Sequence, residues 1–375
     1  MVRRIGTVAL ILVATIAPTS SVIAQETAAP PVLGPRAVRA ELLQEIQLPG
    51  TDHFLRPSAL FADRNAHEIL IGDQGHNRVV ILDENGTYRG EFYGQDRFTS
   101  PQDLVVEPDG TIDVLAGTRE GLRILHYDFD GRFLNERALG TTPDGREVQP
   151  GALAIDSQGR LYVRDRVWPQ VCVYRDGTLE RVIEFAGDVP DDRLVEVGAG
   201  RITIAHDLLY IPVSTLGTVK VFDLDGRLLR AMGDLGSTPG QLALPVDVAV
   251  TGDGLVLVLD QNRFNVVCYS AEGAFLGEFG GKGISPGWFY RPSLLAIDSG
   301  NRVYVGQVYA NRLQICRIPD FIAQGNRNLG ERGRREDGGS VGNGFIQGSK
   351  VDAPRFARAV ELVVTMQSRT CEIGG

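Results

Sequence analysis

Four cysteines and five histidines are the side chains in this chain best suited to nucleophilic attack or metal binding. Their placement argues against both roles. Cys172, Cys268, Cys316 and Cys371 never form a CxxC pair, and four cysteines over this length make no disulfide framework, although one bridge stays open in an oxidising compartment. Aligned on a repeated stretch of the chain, Cys172 falls opposite Val80, Cys268 opposite Ile81 and Cys316 opposite Leu82. Those are strand positions, where a free cysteine acts as a small hydrophobe. A catalytic zinc takes three protein ligands, mostly histidine. His53, His67, His76, His126 and His206 offer no three at one position of the repeat.

The remaining candidates are carboxylates. Asp128-Phe-Asp130-Gly131, echoed by Asp223-Leu-Asp225-Gly226, looks like part of a calcium loop but lacks its leading ligands and its glutamate. Both align with hairpin turns, which is the better reading. No Gly-x-Ser-x-Gly elbow and no Walker loop is present, and GGKGIS at 280–285 has the wrong spacing for phosphate. Asp103 and Asp247 each stand two residues after a proline, and with Glu120 they are the only set assembled for a divalent ion.

The elements that position these residues repeat. ILIGDQGHNRVVILDENGTYRGEF at 69–92 returns without a gap as VLVLDQNRFNVVCYSAEGAFLGEF at 256–279. Blade-like units open at Pro57, Pro101, Pro150, Pro245 and Pro292, spaced 44, 49, 95 and 47 residues apart. The doubled interval conceals one start, expected near Leu194, which makes six units of about 47 residues. Each unit reads as four short strands, with strand two ending near Asp73, Asp165, Asp260 or Gln307. A glycine follows strand three in ENG, FDG, RDG, LDG and AEG, as a tight two-residue hairpin needs. The expected fold is all-β, a six-bladed β-propeller of four-stranded blades, in which each sheet covers its neighbour. The sixth unit has no fourth strand after LQICRIPDF, so Glu41–Leu48 is expected to close it from the N-terminal side and remove an unpaired edge.

The units resemble NHL repeats on Asp73-Gln-Gly-His-Asn77-Arg78-Val79, Asn311-Arg312-Leu313, Leu161-Tyr-Val-Arg-Asp165 and Asp260; Thr118 and Val213 depart from the pattern. The resemblance covers roughly 41 to 320 and speaks for fold more than function. Some extracellular enzymes with this repeat, the peptidyl-hydroxyglycine lyases, hold zinc on histidines near the axis, and the scattered histidines here disfavour that activity. Asp73, Asp165 and Asp260 sit where the repeat uses Asp to bond loop backbone. Arg78, Arg123 and Arg312 are expected at one equivalent position at the head of strand three, as interblade ion-pair partners.

In such a propeller the loops joining strands two and three gather with the interblade connections on one face. The ligand-binding candidates there are His76, Arg119, Arg166, Trp168, Arg263, Phe264, Trp288 and Tyr309, a mixture of arginines and aromatics typical of recognition surfaces. For Trp168 and Trp288, packing and binding are both open. The expected function is a binding scaffold for a protein, peptide or glycan, with no catalytic residues and no cofactor. The alternative is a lactonase-like hydrolase or lyase with a divalent ion held by Asp103 and Asp247; these would face each other across the channel, which weakens it.

Residues 1–24, with Arg3 and Arg4 before IGTVALILVATIAP and a small-residue exit at Ala24, read as a secretory signal peptide. Export to a periplasm or beyond the cell is therefore expected, followed by a flexible segment at 25–40 and the propeller at 41–322. No later run is long enough to anchor the chain in a membrane. The formal charge of −9, about −11 without Arg3 and Arg4, argues against nucleic acid. A monomer is expected. Residues 323–352 form a Gly/Arg-rich linker, and 353–375 a tail that could be a short helix or strand.

Overall fold

The computed structural model describes residues 38, 40–50 and 52–318. The segments read above as signal peptide, linker and tail, nearly all of 25–40, and Cys371 lie outside them.

Six antiparallel four-stranded sheets make up the described fold. Blade 1 runs through Pro57–Asp63, Glu68–Asp73, Arg78–Asp83 and Tyr88–Tyr93. Blade 2 comprises Ser100–Val106, Ile112–Thr118, Gly121–Tyr127 and Phe133–Glu136. Blade 3 comprises Pro150–Ile155, Leu161–Asp165, Gln170–Arg175 and Thr178–Glu184. Blade 4 is Thr203–Ala205, Leu208–Val213, Thr218–Asp223 and Leu228–Met232. Blade 5 is Pro245–Val250, Val256–Asp260, Asn265–Tyr269 and Phe275–Gly280. Blade 6 has Leu294–Ile297, Arg302–Gln307 and Arg312–Arg317, and its outer strand is Glu41–Glu45 from the start of the chain. That strand pairs antiparallel with Arg312–Arg317, Glu41 opposite Arg317, so the expected closure is present.

The hydrophobic core is divided among the seams. Leu70, Val79 and Phe92 of blade 1 meet Leu104, Val114 and Leu125 of blade 2. Clusters of the same kind fill the seams between blades 2 and 3, 3 and 4, 4 and 5, 5 and 6, and 6 and 1. Strands two and three are therefore apolar on both faces, and Val256–Asp260 and Asn265–Tyr269 are buried throughout. Fourth strands lie outermost and wet, as in Phe133–Glu136.

Three expectations need correction. Leu194 does not open blade 4; it lies in a 3₁₀ turn, Asp191–Glu196, and the inner strand begins only at Thr203. The reason is the run Gly198-Ala199-Gly200, which carries the chain tight against blade 5: a Cβ on Gly200 would come within 2.1 Å of Val246 O. Among the turns after strand three, only that of blade 3 is a two-residue hairpin, with Asp176 and Gly177 at φ 49° and 76°. Elsewhere, as at Asp83, the Gly86 N–H bonds to Asp83 O and the Asp83 N–H to Thr87 O, a three-residue turn with a glycine bulge. Finally, Arg78, Arg123 and Arg312 do share a register: Arg78 lies opposite Asp73 and Arg123 opposite Ala116, the residues paired with the blade-opening Pro57 and Pro101, and Arg312 lies opposite Gln307. It is their expected role that changes. Arg123 pairs with Glu120 and Glu136 of its own blade, and Arg78 with Asp73, Glu91 and Asp52, so these are not interblade clasps.

Candidate functional site

The loops between strands two and three are pinned from beneath. Asp73 Oδ1 accepts the Leu55 N–H at 2.8 Å. Asp165 Oδ1 accepts the N–H groups of Val167 and Trp168, and Asp260 Oδ1 those of Asn262 and Arg263. All three carboxylates are buried. Turn chemistry thus explains them, and it fixes the rim on which the recognition candidates stand.

The candidates occupy that one face but not one spot. His76 Nδ1 lies 2.8 Å from Asp73 Oδ2, and its ring meets His53 edge-on. Arg119 and Arg166 are exposed. Trp168 lies beneath Arg146, whose guanidinium carbon is 4.3 Å from the ring centroid. Arg263 is committed to Glu278 at 2.8 Å and to Gln241 O. Phe264 has Lys282 Nζ over its ring at 5.5 Å. Trp288 and Tyr309 are 50% and 61% exposed. Of these residues Arg166 also lines a hollow of about 350 Å³ on this face, shared with Gln102, Gly151, Arg164, Asp165, Phe185 and Val197–Ala199.

Deeper in the channel the free edges of the inner strands must be satisfied. Asp103 and Asp247 do part of this. Asp103 accepts the N–H of Leu104 at 2.8 Å and, across the seam, that of Leu153 at 2.9 Å. Asp247 likewise accepts from Val248 at 2.9 Å and Leu295 at 2.7 Å. Between them stands Arg201. Its Nη2 is 2.8 Å from Asp103 Oδ1 and donates to Leu60 O at 2.8 Å, and its Nε is 3.6 Å from Asp247 Oδ2. The two carboxylates do face each other across the axis, and a guanidinium joins them where a shared ion would sit.

Arg201 was not legible as a channel residue. Pairing places it, since Thr203 lies opposite Tyr210 just as Ala249 lies opposite Leu257. Arg201, two residues before Thr203, is then the blade 4 counterpart of Asp247 and Asp103. The signal in the sequence is the match of LLYIPV to VLVLD in strand two, since no proline marks this blade.

Burial dominates the electrostatics here. It pushes the Asp247 carboxyl up to about 7 and raises Asp103, against the opposing pull of Arg201 and the N–H donors. Burial likewise pushes the Cys172 and Cys316 thiols up to about 12, so neither is a nucleophile at neutral pH.

On the opposite face, a cavity of about 430 Å³ is walled by all six inner strands and ends inward at Arg201 and Asp247. Arg64 reaches across it, donating from Nη2 to Val250 O at 2.6 Å and from Nε to Ile297 O at 3.3 Å. Here too the charged side chain satisfies strand edges.

Among the described residues Glu107, Asp113 and His126 form a group with metal-ligand spacing. Arg137 is already within it, bonded to Glu107 and, at 3.1 Å, to Asp113 Oδ1. Burial and the neighbouring Asp113 push Glu107 up to about 7. The cluster lies within a single blade, and its Glu107 also borders the 430 Å³ cavity.

No protein-family model matches the chain, and no curated protein matches it. Solved structures do. A streptogramin B lyase shares 15% identity over 74% of this chain and 98% of its own, with a TM-score of 0.51. The virginiamycin B lyase of Staphylococcus aureus, in selenomethionine form, gives 14% identity over 74% and 99%, with a TM-score of 0.51. A protein of unknown function from Bacteroides thetaiotaomicron gives 13% over 76% and 73%, with a TM-score of 0.54. Likeness at such identities is likeness of fold, and it agrees with the blade count: the chain is a six-bladed β-propeller closed by its N-terminal strand.

Proposed function

We propose that this chain is an exported NHL-type propeller that works as a binding module, taking a protein, peptide or glycan on the face carrying the strand two–three loops. One observation carries the reading. In blades 1, 4 and 6 the last residue of that loop is left-handed and is Asn77, Gly217 or Asn311, types that tolerate positive φ. In blade 5 the same position is Phe264, at φ 60°. A bulky aromatic held there costs about 1–2 kcal/mol, and such strain gathers at functional sites. The half-exposed rings of Trp288 and Tyr309 stand on the same face. Asp73, Asn77 and Arg78 keep the NHL spacing in blade 1, which supports the repeat assignment.

Phe264→Asn should therefore raise stability by about 1 kcal/mol while weakening partner capture, a split that a purely structural phenylalanine would not give. Trp288→Ala should leave the melting curve nearly in place and reduce capture from the native envelope fraction roughly tenfold or more. Undiminished capture by both variants would remove this face from consideration.

A lyase working through a divalent ion is the second reading. In its favour are the streptogramin B lyase and the virginiamycin B lyase of similar fold and the group Glu107, Asp113 and His126. Against it stand two guanidinium groups, Arg201 and Arg137, placed among the very carboxylates an ion would need.

A further inference from the structure

The hollow beside the blade 3 loop is lined by two arginines, Arg164 and Arg166, and by one carboxylate, Asp165. Arg164 projects from the second strand of blade 3, opposite Ala152 in register. Its Nη1 donates to Asp165 O at 3.1 Å, and its buried Nε has no partner. Arg166 stands exposed two residues on, and neither arginine has a carboxylate partner among the described residues. The two nearby acids are already engaged. Asp103 is held by Arg201 and two N–H groups. Asp165 Oδ2 accepts from the Gln149 N–H and the Gln170 amide, and its Oδ1 from Val167 and Trp168. Burial draws the Arg164 guanidinium down to about 10, the direction of a cation short of negative charge.

Gly151 makes the arrangement. A Cβ on it would lie 2.7 Å from Arg164 Nη2 and 2.9 Å from Arg166 Cβ, so both arginines close over a residue without a side chain. The exposed Gln102 of blade 2 completes the wall. A planar guanidinium with free N–H groups, partly shielded from water, is the usual partner of an oxyanion.

We propose that this hollow binds a small oxyanion, the carboxylate or phosphate group of a small molecule, between Arg164 and Arg166 with Gln102 as a further donor. The inference rests on the binding reading above and deepens it by naming the ligand's chemistry.

Calorimetric titration of the full chain at low ionic strength, with inorganic phosphate and separately with succinate, tests it. Saturable binding of at least one is expected, and which one binds separates a phosphate from a carboxylate ligand. Arg164→Gln should weaken it roughly tenfold to hundredfold. Gly151→Ala, which keeps every charge but displaces the Arg164 head, should weaken it too. Arg89→Gln, on the outer strand of blade 1, should bind as the unaltered protein does. Absence of saturable binding, or binding by Arg164→Gln and Gly151→Ala as tight as that of the unaltered protein, would overturn the proposal. If anions fail while Phe264→Asn and Trp288→Ala still lose the partner, this inference falls alone. If anions bind but those variants keep the partner, the oxyanion site stands and the wider rim reading falls.

Discussion

Replacing Arg201 with methionine is expected to cost the folded protein about 3–5 kcal/mol near pH 8, since it strands two buried carboxylates. Asp103 and Asp247 are almost fully buried, at 1% and 2% exposure. The main-chain donors would remain, but the cation would not. The deficit should shrink in acid, and the sign follows from linkage. A carboxyl whose folded pKa lies above its unfolded value contributes stability in full below the unfolded value, about 3.9. That contribution is lost as the pH rises through the folded value, about 7 for Asp247. Without Arg201 both folded values rise further, so the gap between variant and parent widens from about pH 4 to about pH 8. Urea denaturation across that range reads it directly. Adding Asp103→Asn and Asp247→Asn to the variant should recover part of the loss near pH 8. A deficit that is constant with pH would mean that Arg201 acts through packing rather than charge.

Loss of the closing strand is the second large effect. A chain beginning at Pro49 lacks Val38, Ile46 and Leu48, each buried to 6% exposure in the seams of blade 6. Side chains of this size contribute about 1.5–3 kcal/mol each when buried. Also lost are the ladder to Arg312–Arg317, the bond from the Ile46 N–H to Leu313 O, and the pairs of Glu41 with Arg317 and Glu45 with Arg312. The total, upward of about 5 kcal/mol, is a large part of the stability of an ordinary domain. The shortened chain is expected to melt roughly 10 °C or more below the parent and to associate through the bared edge of Arg312–Arg317. A monomer with an unchanged melting temperature would show that the strand decorates the ring without closing it.

These effects separate what was legible in the sequence from what was not. Local signals carried far: the prolines opening the blades and the glycines after strand three act within a few residues of themselves, and Asp165 and Asp260 bond N–H groups two and three residues on. Closure was legible because blade 6 visibly lacked a strand. Arg201 was hidden because its partners come from other blades; Leu60, whose carbonyl it reaches, is 141 residues away. Arg164 was hidden for another reason, since what frees its head group is the missing side chain of Gly151 on the adjacent strand. On the rim, composition could not distinguish a committed group from a free one. Arg263 is tied to Glu278, while Arg166 opens into the hollow.

A guanidinium, that of Arg201, is the cation that joins Asp103 to Asp247. Thermal melting in EDTA, and then with calcium, zinc or manganese in excess, tests it most directly, because a ligand of the native state raises the transition by mass action. Coincident curves are the predicted result. A metal-dependent rise that disappears in Asp103→Asn/Asp247→Asn would contradict the account, since an ion would then have displaced Arg201 from the axis.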